Sequence, residues 1–146
     1  MSFFDTADRR TETAFTFLQG MVERDWSKIF SFGEMRDFRA GETLVATGDV
    51  DRSFYVLMSG SVEVVQQAAR LGQMERGEVF GEVAFFDGQP RSATIRALES
   101  GTALRFSREA FDKLAAWEPV LARRMLLDLG HAVAFRLRAA ERRAAR

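Results

Sequence analysis

The stretch FGEVAFFDGQPRSATIRA, residues 80–97, places an acidic residue and an arginine nine positions apart, with small residues around both. Gly81 lets a backbone approach a ligand closely, and a short helix starting near Glu82 would aim unpaired N–H groups at an anion. Arg91 adds a planar, permanently charged fork for phosphate oxygens, and Ser92 adds a hydroxyl. Glu82 suits a sugar hydroxyl, as an acceptor. These residue types indicate a nucleotide with one phosphate charge; the alternative is an ordinary ion pair between Glu82 and Arg91.

The rest of the sequence offers few groups for catalysis or metal binding. It contains one histidine, His131, and no cysteine, which leaves no multi-histidine or thiolate metal site. A Ser-His-Asp triad would need that same histidine, which lies in the predicted last helix. No phosphate-binding loop of the G-x-x-x-x-G-K-[ST] type is present. We therefore expect a binding protein rather than an enzyme, with no catalytic residues, no metal and no cofactor other than its ligand.

Length and composition fit one soluble domain. A chain of 146 residues with 47% apolar and 29% charged residues can bury a single core, and no apolar run approaches the roughly 18 residues of a membrane span. The N-terminal sequence MSFFDTADRR is too polar for a secretory signal. A cytoplasmic location is the expectation, and the arginine- and alanine-rich composition suggests a bacterial source.

The middle of the chain is predicted to be a β unit. Nine of the eleven glycines lie between Gly33 and Gly101 and separate short runs with strand character. These runs are EMRDF, TLVAT, SFYVLMS, SVEVVQ, ATIRAL and TALRFS. Short strands punctuated by turn residues are typical of a barrel or sandwich, here a jelly-roll barrel or β-roll.

Both ends are predicted to be helical. Apolar residues recur at three- and four-residue steps over residues 8–32, with a break at Gly20. Ser107 is a capping residue for a helix over residues 109–117, and Pro119 opens a longer helix to about Ala140. That last helix carries an apolar stripe formed by Leu126, Leu129, Val133 and Leu137. The predicted organisation is an N-terminal helical extension, residues 1–22, followed by one domain, residues 23–146.

Charge is distributed unevenly although the net charge is zero. Residues 1–118 contain 14 basic and 19 acidic residues, whereas residues 119–146 contain 7 and 2. A basic tail could contact nucleic acid, since phosphate contacts dominate such binding. The alternative, a solvated helix end whose cations suit the helix dipole, is favoured.

Two motifs within the opening stretch resemble the phosphate-binding cassette of the cyclic nucleotide-binding domain family. The pattern F-G-E-x-A/G followed by P-R-x-A-T is present as FGEVA and PRSATI. FRAGETLVATGDVDRSFYVLMSGSVEVV, residues 38–65, is similar to the first strands of the family, and the resemblance covers about residues 23–138. It implies a β-roll with flanking helices that binds cAMP or cGMP, as in catabolite activator protein-like sensors; we expect cAMP.

The resemblance also assigns roles within the cassette, residues 80–95. It implies that Arg91 and the backbone of Ser92 and Ala93 hold the cyclic phosphate, while Glu82 takes the ribose 2′-hydroxyl. The N–H groups of Gly81, Glu82, Val83 and Ala84 complete the cradle. The side chains of Val83, Phe85 and Phe86 are expected to pack the cassette helix onto the β-roll.

In the family the final helix moves over the base when ligand binds, so the candidate lid here is residues 119–140, with Val133 and Leu137 as candidate lid contacts. The expected function is a sensor that repositions this helix to regulate a partner protein or its own association. Alternatively, the apolar stripe packs on the β-roll or forms a homodimer seam. A further alternative is a scaffold domain whose basic helix binds protein or nucleic acid with the pocket unused. The sequence ends about where related transcription factors begin a helix-turn-helix domain, so none is expected in it.

Overall fold

The computed structural model describes residues 15–145, which form six strands and four helices. The helices are α1 Glu23–Phe32, α2 Glu82–Asp87, α3 Arg108–Trp117 and α4 Pro119–Ala144. The strands are β1 Glu34–Phe38, β2 Thr43–Val45, β3 Phe54–Gln66, β4 Ala69–Met74, β5 Val79–Phe80 and β6 Thr94–Phe106. The predicted mainly β fold with flanking helices is confirmed.

Two 13-residue strands, β3 and β6, form the centre of one antiparallel sheet. They pair with each other; β1 and β2 pair with β6, and β4 and β5 pair with β3. Because every other strand pairs with one of these two, β3 and β6 bring the segments at both ends of the cassette onto the same sheet. This arrangement is the β-roll that the motifs predicted.

Each central strand bends at a glycine instead of ending there. Gly60 has a φ of 80°, and the β3–β6 register shifts around it. A Cβ on Gly101 would lie 2.1 Å from the carbonyl oxygen of Ser59 on the facing strand. The sequence predicted four separate runs in these regions, but the glycines allow bulges and close approach, so the runs join into two long strands.

Successive residues of β3 point to opposite faces of the sheet and help to build two cores. Phe54 and Val56 pack in a cluster with the helices, whereas Tyr55 and Leu57 pack in a second cluster inside the roll. The first cluster also fixes the cassette helix, since the Phe54 and Phe85 rings meet edge-on with centroids 4.9 Å apart. The cassette is therefore anchored to the middle of the sheet by buried aromatic contact.

The helices after the sheet follow the sequence closely. The Ser107 hydroxyl accepts a hydrogen bond from the backbone N–H of Ala110 at 3.0 Å, which is the predicted N-cap of α3. α4 begins at Pro119 as predicted and continues to Ala144, four residues beyond the predicted end.

The predicted apolar stripe of α4 does not form one packing face. Leu129 is buried and Val133 half-buried, but Leu126 and Leu137 are 39% and 60% exposed. The buried face is instead formed by Leu121, Ala122, Met125, Leu129, Ala132 and Ala139. The neighbouring helices α3 and α2 determine which side of α4 is covered, and the sequence period alone could not.

The N-terminal prediction is only partly right. α1 provides the second of the two predicted helices, with Trp26 and Ile29 buried. Residues 15–22 contain turns rather than helix, and Leu18 adopts a φ of 53° there. Residues 8–14 of the predicted first helix lie outside the described residues.

Candidate functional site

The predicted cassette forms one wall of a cavity of about 350 Å³. All seven predicted binding residues line it: Gly81, Glu82, Val83, Ala84, Arg91, Ser92 and Ala93. Apolar side chains from the roll line the cavity as well: Val45, Val64, Met74, Phe80 and Ile95. A cluster of polar groups beside an apolar surface suits a ligand with one charged end and one flat, weakly polar end.

Gly81 sets the start of the cassette helix α2. Its φ of 82° lies in the left-handed region, and a Cβ there would lie 3.0 Å both from Nη1 of Arg91 and from the carbonyl oxygen of Ser53. Glycine is therefore needed for both the conformation and the close approach of Arg91. The first-turn N–H groups of α2 have no partners within the helix, as in any α-helix, and they belong to residues that line the cavity.

Arg91 is buried, with 5% of its surface exposed, and is held by several acceptors. Its Nη1 donates to the carbonyl oxygen of Gly81 at 2.7 Å, and its Nη2 donates to the carbonyl of Ser53 and to Asp51 at 3.1 Å. Its Nε–H has no hydrogen-bond partner among the described residues. A buried guanidinium that lines a cavity is suited to an anion.

Glu82 does not pair with Arg91. Its carboxylate, with 4% of the side chain exposed, accepts a hydrogen bond from Arg136 of α4. Arg136 also donates to the carbonyl oxygen of Val79 and lines the cavity. The alternative of an ordinary Glu82–Arg91 ion pair is therefore wrong, because each residue has a different partner. Glu82 instead links the cassette to the last helix.

Arg136 was missed in the sequence because it lies outside any motif, 54 positions after its partner. The two lid candidates chosen from the sequence do not line the cavity: Val133 is half-buried elsewhere, and Leu137 faces away at 60% exposure. Leu137 is one residue beyond Arg136, so the helical turn of about 100° per residue takes its side chain to another face. No local sequence pattern distinguishes Arg136, which lines the cavity, from Val133 and Leu137, which do not.

Residues 49–52, which precede β3, also contact the cassette and were not predicted from the sequence. The carbonyl oxygen of Asp49 accepts from the Arg91 backbone N–H at 2.7 Å. Arg52 donates to the carbonyl oxygens of Phe85 and Phe86 at 2.9 Å each, which caps the end of α2. In the sequence, these residues could be linked to the cassette only by their position in the run GDVDRSFYV, just before and within the predicted strand.

The side chains of α2 pack differently from the prediction. Phe85 is buried against the sheet as expected, but Val83 and Phe86 are 58% and 43% exposed. The helix has only six residues, so one face is covered and the other remains at the surface.

Asp51 is ionised in the protein. Burial, the largest single influence, raises the pKa of this carboxyl, but hydrogen bonds from Ser53 and Arg91 and the charges of Arg91 and Arg105 outweigh it and lower the pKa below its ordinary value. Asp51 therefore acts as a fixed negative charge beside the buried arginine.

No cluster of three His, Cys, Asp or Glu side chains suited to a metal occurs among residues 15–145. His131 is exposed, with its Nδ1 3.4 Å from Asp128. Even the longest described helix, α4, has too little continuous apolar sequence to span a bilayer.

Comparison with known proteins identifies the family and its fold. Residues 35–116, more than half of the chain, match the family model of the cyclic nucleotide-binding domain. The cAMP-dependent protein kinase regulatory subunit of Emericella nidulans is 34% identical over 99 residues, which are 66% of this chain and 24% of that protein. The cGMP-dependent protein kinase of Toxoplasma gondii is 29% identical over 113 residues, 77% of this chain and 11% of that protein. The chain thus spans a quarter or less of the length of these relatives. Because the relatives include fungal and apicomplexan proteins, the bacterial source stays a prediction.

Solved structures show the same fold. The catabolite activator protein of Thermus thermophilus superposes with a TM-score of 0.74 at 25% identity, over 92% of this chain and 62% of that one. A cyclic nucleotide-binding domain from Methylobacillus flagellatus superposes with a TM-score of 0.80 at 22% identity, over 90% of this chain and 78% of that one. The chain belongs to the cyclic nucleotide-binding domain family.

Proposed function

We propose that the cavity binds a 3′,5′-cyclic nucleotide and that α4 transmits its presence to a partner protein or to a second copy of the chain. The observation that carries this proposal is the convergence of Arg91, Glu82 and Arg136 on one cavity. The chain acts as a regulatory module and catalyses no reaction.

The cassette matches the two polar parts of such a ligand. Arg91, with its unpartnered Nε–H, and the backbone N–H groups of Ser92 and Ala93 hold the singly charged cyclic phosphate. The first-turn N–H groups of α2 add further donors. Glu82 accepts the ribose 2′-hydroxyl, since Arg136 contacts only its Oε1 in the described structure. The apolar wall of Val64, Ile95 and their neighbours then covers the base.

cAMP is the proposed ligand in preference to cGMP. Support comes from the first relative named above, which is a cAMP-dependent protein kinase regulatory subunit. The expected domain limits follow the same proposal: residues 23–146 form the sensor, with residues 119–140 as its moving helix. Nucleic acid is not a proposed partner.

Isothermal titration with cAMP and with cGMP tests the proposal. The unaltered chain should bind at least one of them, and cAMP more tightly. Arg91→Gln should cost on the order of 2 to 4 kcal/mol of binding, because it leaves a buried phosphate without its cation.

Arg96→Gln is the matched control: Arg96 lies five residues further along the chain, is exposed, and pairs with Glu63 on the sheet surface. It should bind nucleotide as the unaltered chain does. Folded protein that gives no heat with either nucleotide at high micromolar concentration would contradict the function. Normal binding by Arg91→Gln would contradict the assignment of the site.

A further inference from the structure

Asp51 lies between two arginines, only one of which belongs to the cavity. Its Oδ2 is 3.1 Å from Nη2 of Arg91, and its Oδ1 is 3.3 Å from Nη2 of Arg105. The Ser53 hydroxyl donates to the same Oδ1 at 2.8 Å. Arg105, from β6, does not line the cavity. The carboxylate is thus shared between a buried cation at the site and a second cation behind it.

The charges of this cluster, defined as Arg91, Asp51 and Arg105, sum to one positive charge. Asp51 stays ionised, as described above, and Arg105 stays protonated: burial lowers its pKa, but contacts with Tyr55 and Asp51 outweigh that and raise it. Among the described residues, the other carboxylate within 4 Å of either arginine is Glu34, 3.9 Å from Nη1 of Arg105; its side chain is 69% exposed, so solvent screens it. One uncompensated positive charge matches an anion with a single negative charge.

We propose that Arg105 is a positioning residue of the anion site, which acts through Asp51 without touching the ligand. By holding one oxygen of Asp51, it prevents this carboxylate from neutralising Arg91 completely. Without Arg105, the cluster would be neutral, and the incoming phosphate would have to compete with Asp51 for the Arg91 guanidinium. The inference rests on the proposed function, since it concerns the affinity of the same site for a cyclic phosphate.

The test compares variants of the full chain that remove and then restore the net charge of the cluster. Their affinity is measured by isothermal titration with cAMP or cGMP, whichever the unaltered chain binds. Arg105→Gln should weaken binding about tenfold, because the cluster loses its net charge. Asp51→Asn combined with Arg105→Gln restores one positive charge on Arg91 and should bring affinity back to within about threefold of the unaltered chain. Arg105→Lys keeps the charge and should also stay within about threefold.

A purely structural role predicts the opposite order. The double variant loses more contacts than Arg105→Gln, so it would then bind more weakly, and recovery of affinity therefore separates the two explanations. Arg96→Gln removes an arginine from the same strand without touching Asp51 and should leave affinity unchanged. If Arg105→Gln does not fold by circular dichroism, Arg105→Lys and the double variant carry the test.

The two proposals fail in different ways. An unaltered chain that binds neither nucleotide overturns the proposed function and this inference with it. Binding by the unaltered chain, with Arg105→Gln equally tight or the double variant no tighter than Arg105→Gln, overturns only the role of Arg105.

Discussion

Gly81 is the residue on which the geometry of the cassette depends most directly. Gly81→Ala must place a Cβ 3.0 Å from both Nη1 of Arg91 and the Ser53 carbonyl, in a left-handed conformation. We expect a loss of about 1 to 2 kcal/mol in the free energy of unfolding from the conformation. Affinity for cyclic nucleotide should fall at least about tenfold, or about 1.4 kcal/mol, because the arginine has to shift. Urea unfolding and isothermal titration measure the two effects.

Gly41→Ala is the matched control at this scale. Gly41 has a φ of 89°, similar to that of Gly81, but a Cβ there would meet nothing within 4 Å, and Gly41 does not line the cavity. This variant should share the loss of stability and keep its affinity. Equal affinities of Gly41→Ala and Gly81→Ala would show that the close approach of Arg91 is unimportant.

Single residues also show where inference from sequence stops. The cassette residues that line the cavity could be named from the sequence because they lie within 13 consecutive positions, where the residue types and the resemblance to the family motif both apply. The residues that hold them were not: Asp51 lies 40 positions from Arg91, and Arg136 lies 54 positions from Glu82. Contacts at such separations depend on strand pairing and helix packing, which leave no trace in local spacing.

At the scale of elements, the sequence predicted which regions form helices or strands better than it predicted where each helix or strand ends. Capping by Ser107 and the proline at the start of α4 fixed two helix starts, since both act through neighbouring backbone groups. The glycines were read as strand ends, but Gly60 and Gly101 allow β3 and β6 to bend and continue. A glycine marks both a turn and a bulge, and only the facing strand decides between them.

The ion pair of Arg136 with the buried carboxylate of Glu82 links α4 to the cassette. Arg136→Gln removes the cation from Glu82, whose side chain is 4% exposed. Docking of α4 at this end should weaken by on the order of 3 kcal/mol, because a buried carboxylate loses its partner. Hydrogen exchange with and without nucleotide should then show normal protection of residues 80–95 but no ligand-dependent change in residues 130–139.

Arg138→Gln serves as the control for the helix, since Arg138 is exposed and lies two residues along the same element. It should show the same ligand-dependent exchange in α4 as the unaltered chain. If α4 still responds to nucleotide in Arg136→Gln, the signal reaches the helix by another route.

At the scale of the whole molecule, α4 joins the site to the surface. One face of the helix bears Arg136 in the cavity, and another exposes Val120, Leu127 and Leu137, at 83%, 56% and 60%. Val120 and Leu127 are seven residues apart, and Leu137 follows at a further ten, which places all three along one seam of a coiled coil. If a ligand changes the affinity of association through this seam, association must change ligand affinity by the same factor.

We expect this seam to hold two copies of the chain together, parallel or antiparallel, over a helix of 26 residues, about 39 Å long. Leu127→Gln should weaken the dimer on the order of 100-fold, because two leucines, one from each copy, each lose about 1.5 kcal/mol of burial. Leu71→Gln is the control, since Leu71 on β4 is equally exposed, at 58%, and lies on another element. Sedimentation equilibrium, with and without nucleotide, measures both variants. The seam would be excluded as the interface if the unaltered chain were monomeric at every concentration, or if the Leu127→Gln chain associated normally. A separate partner protein would then be the receiver of the signal.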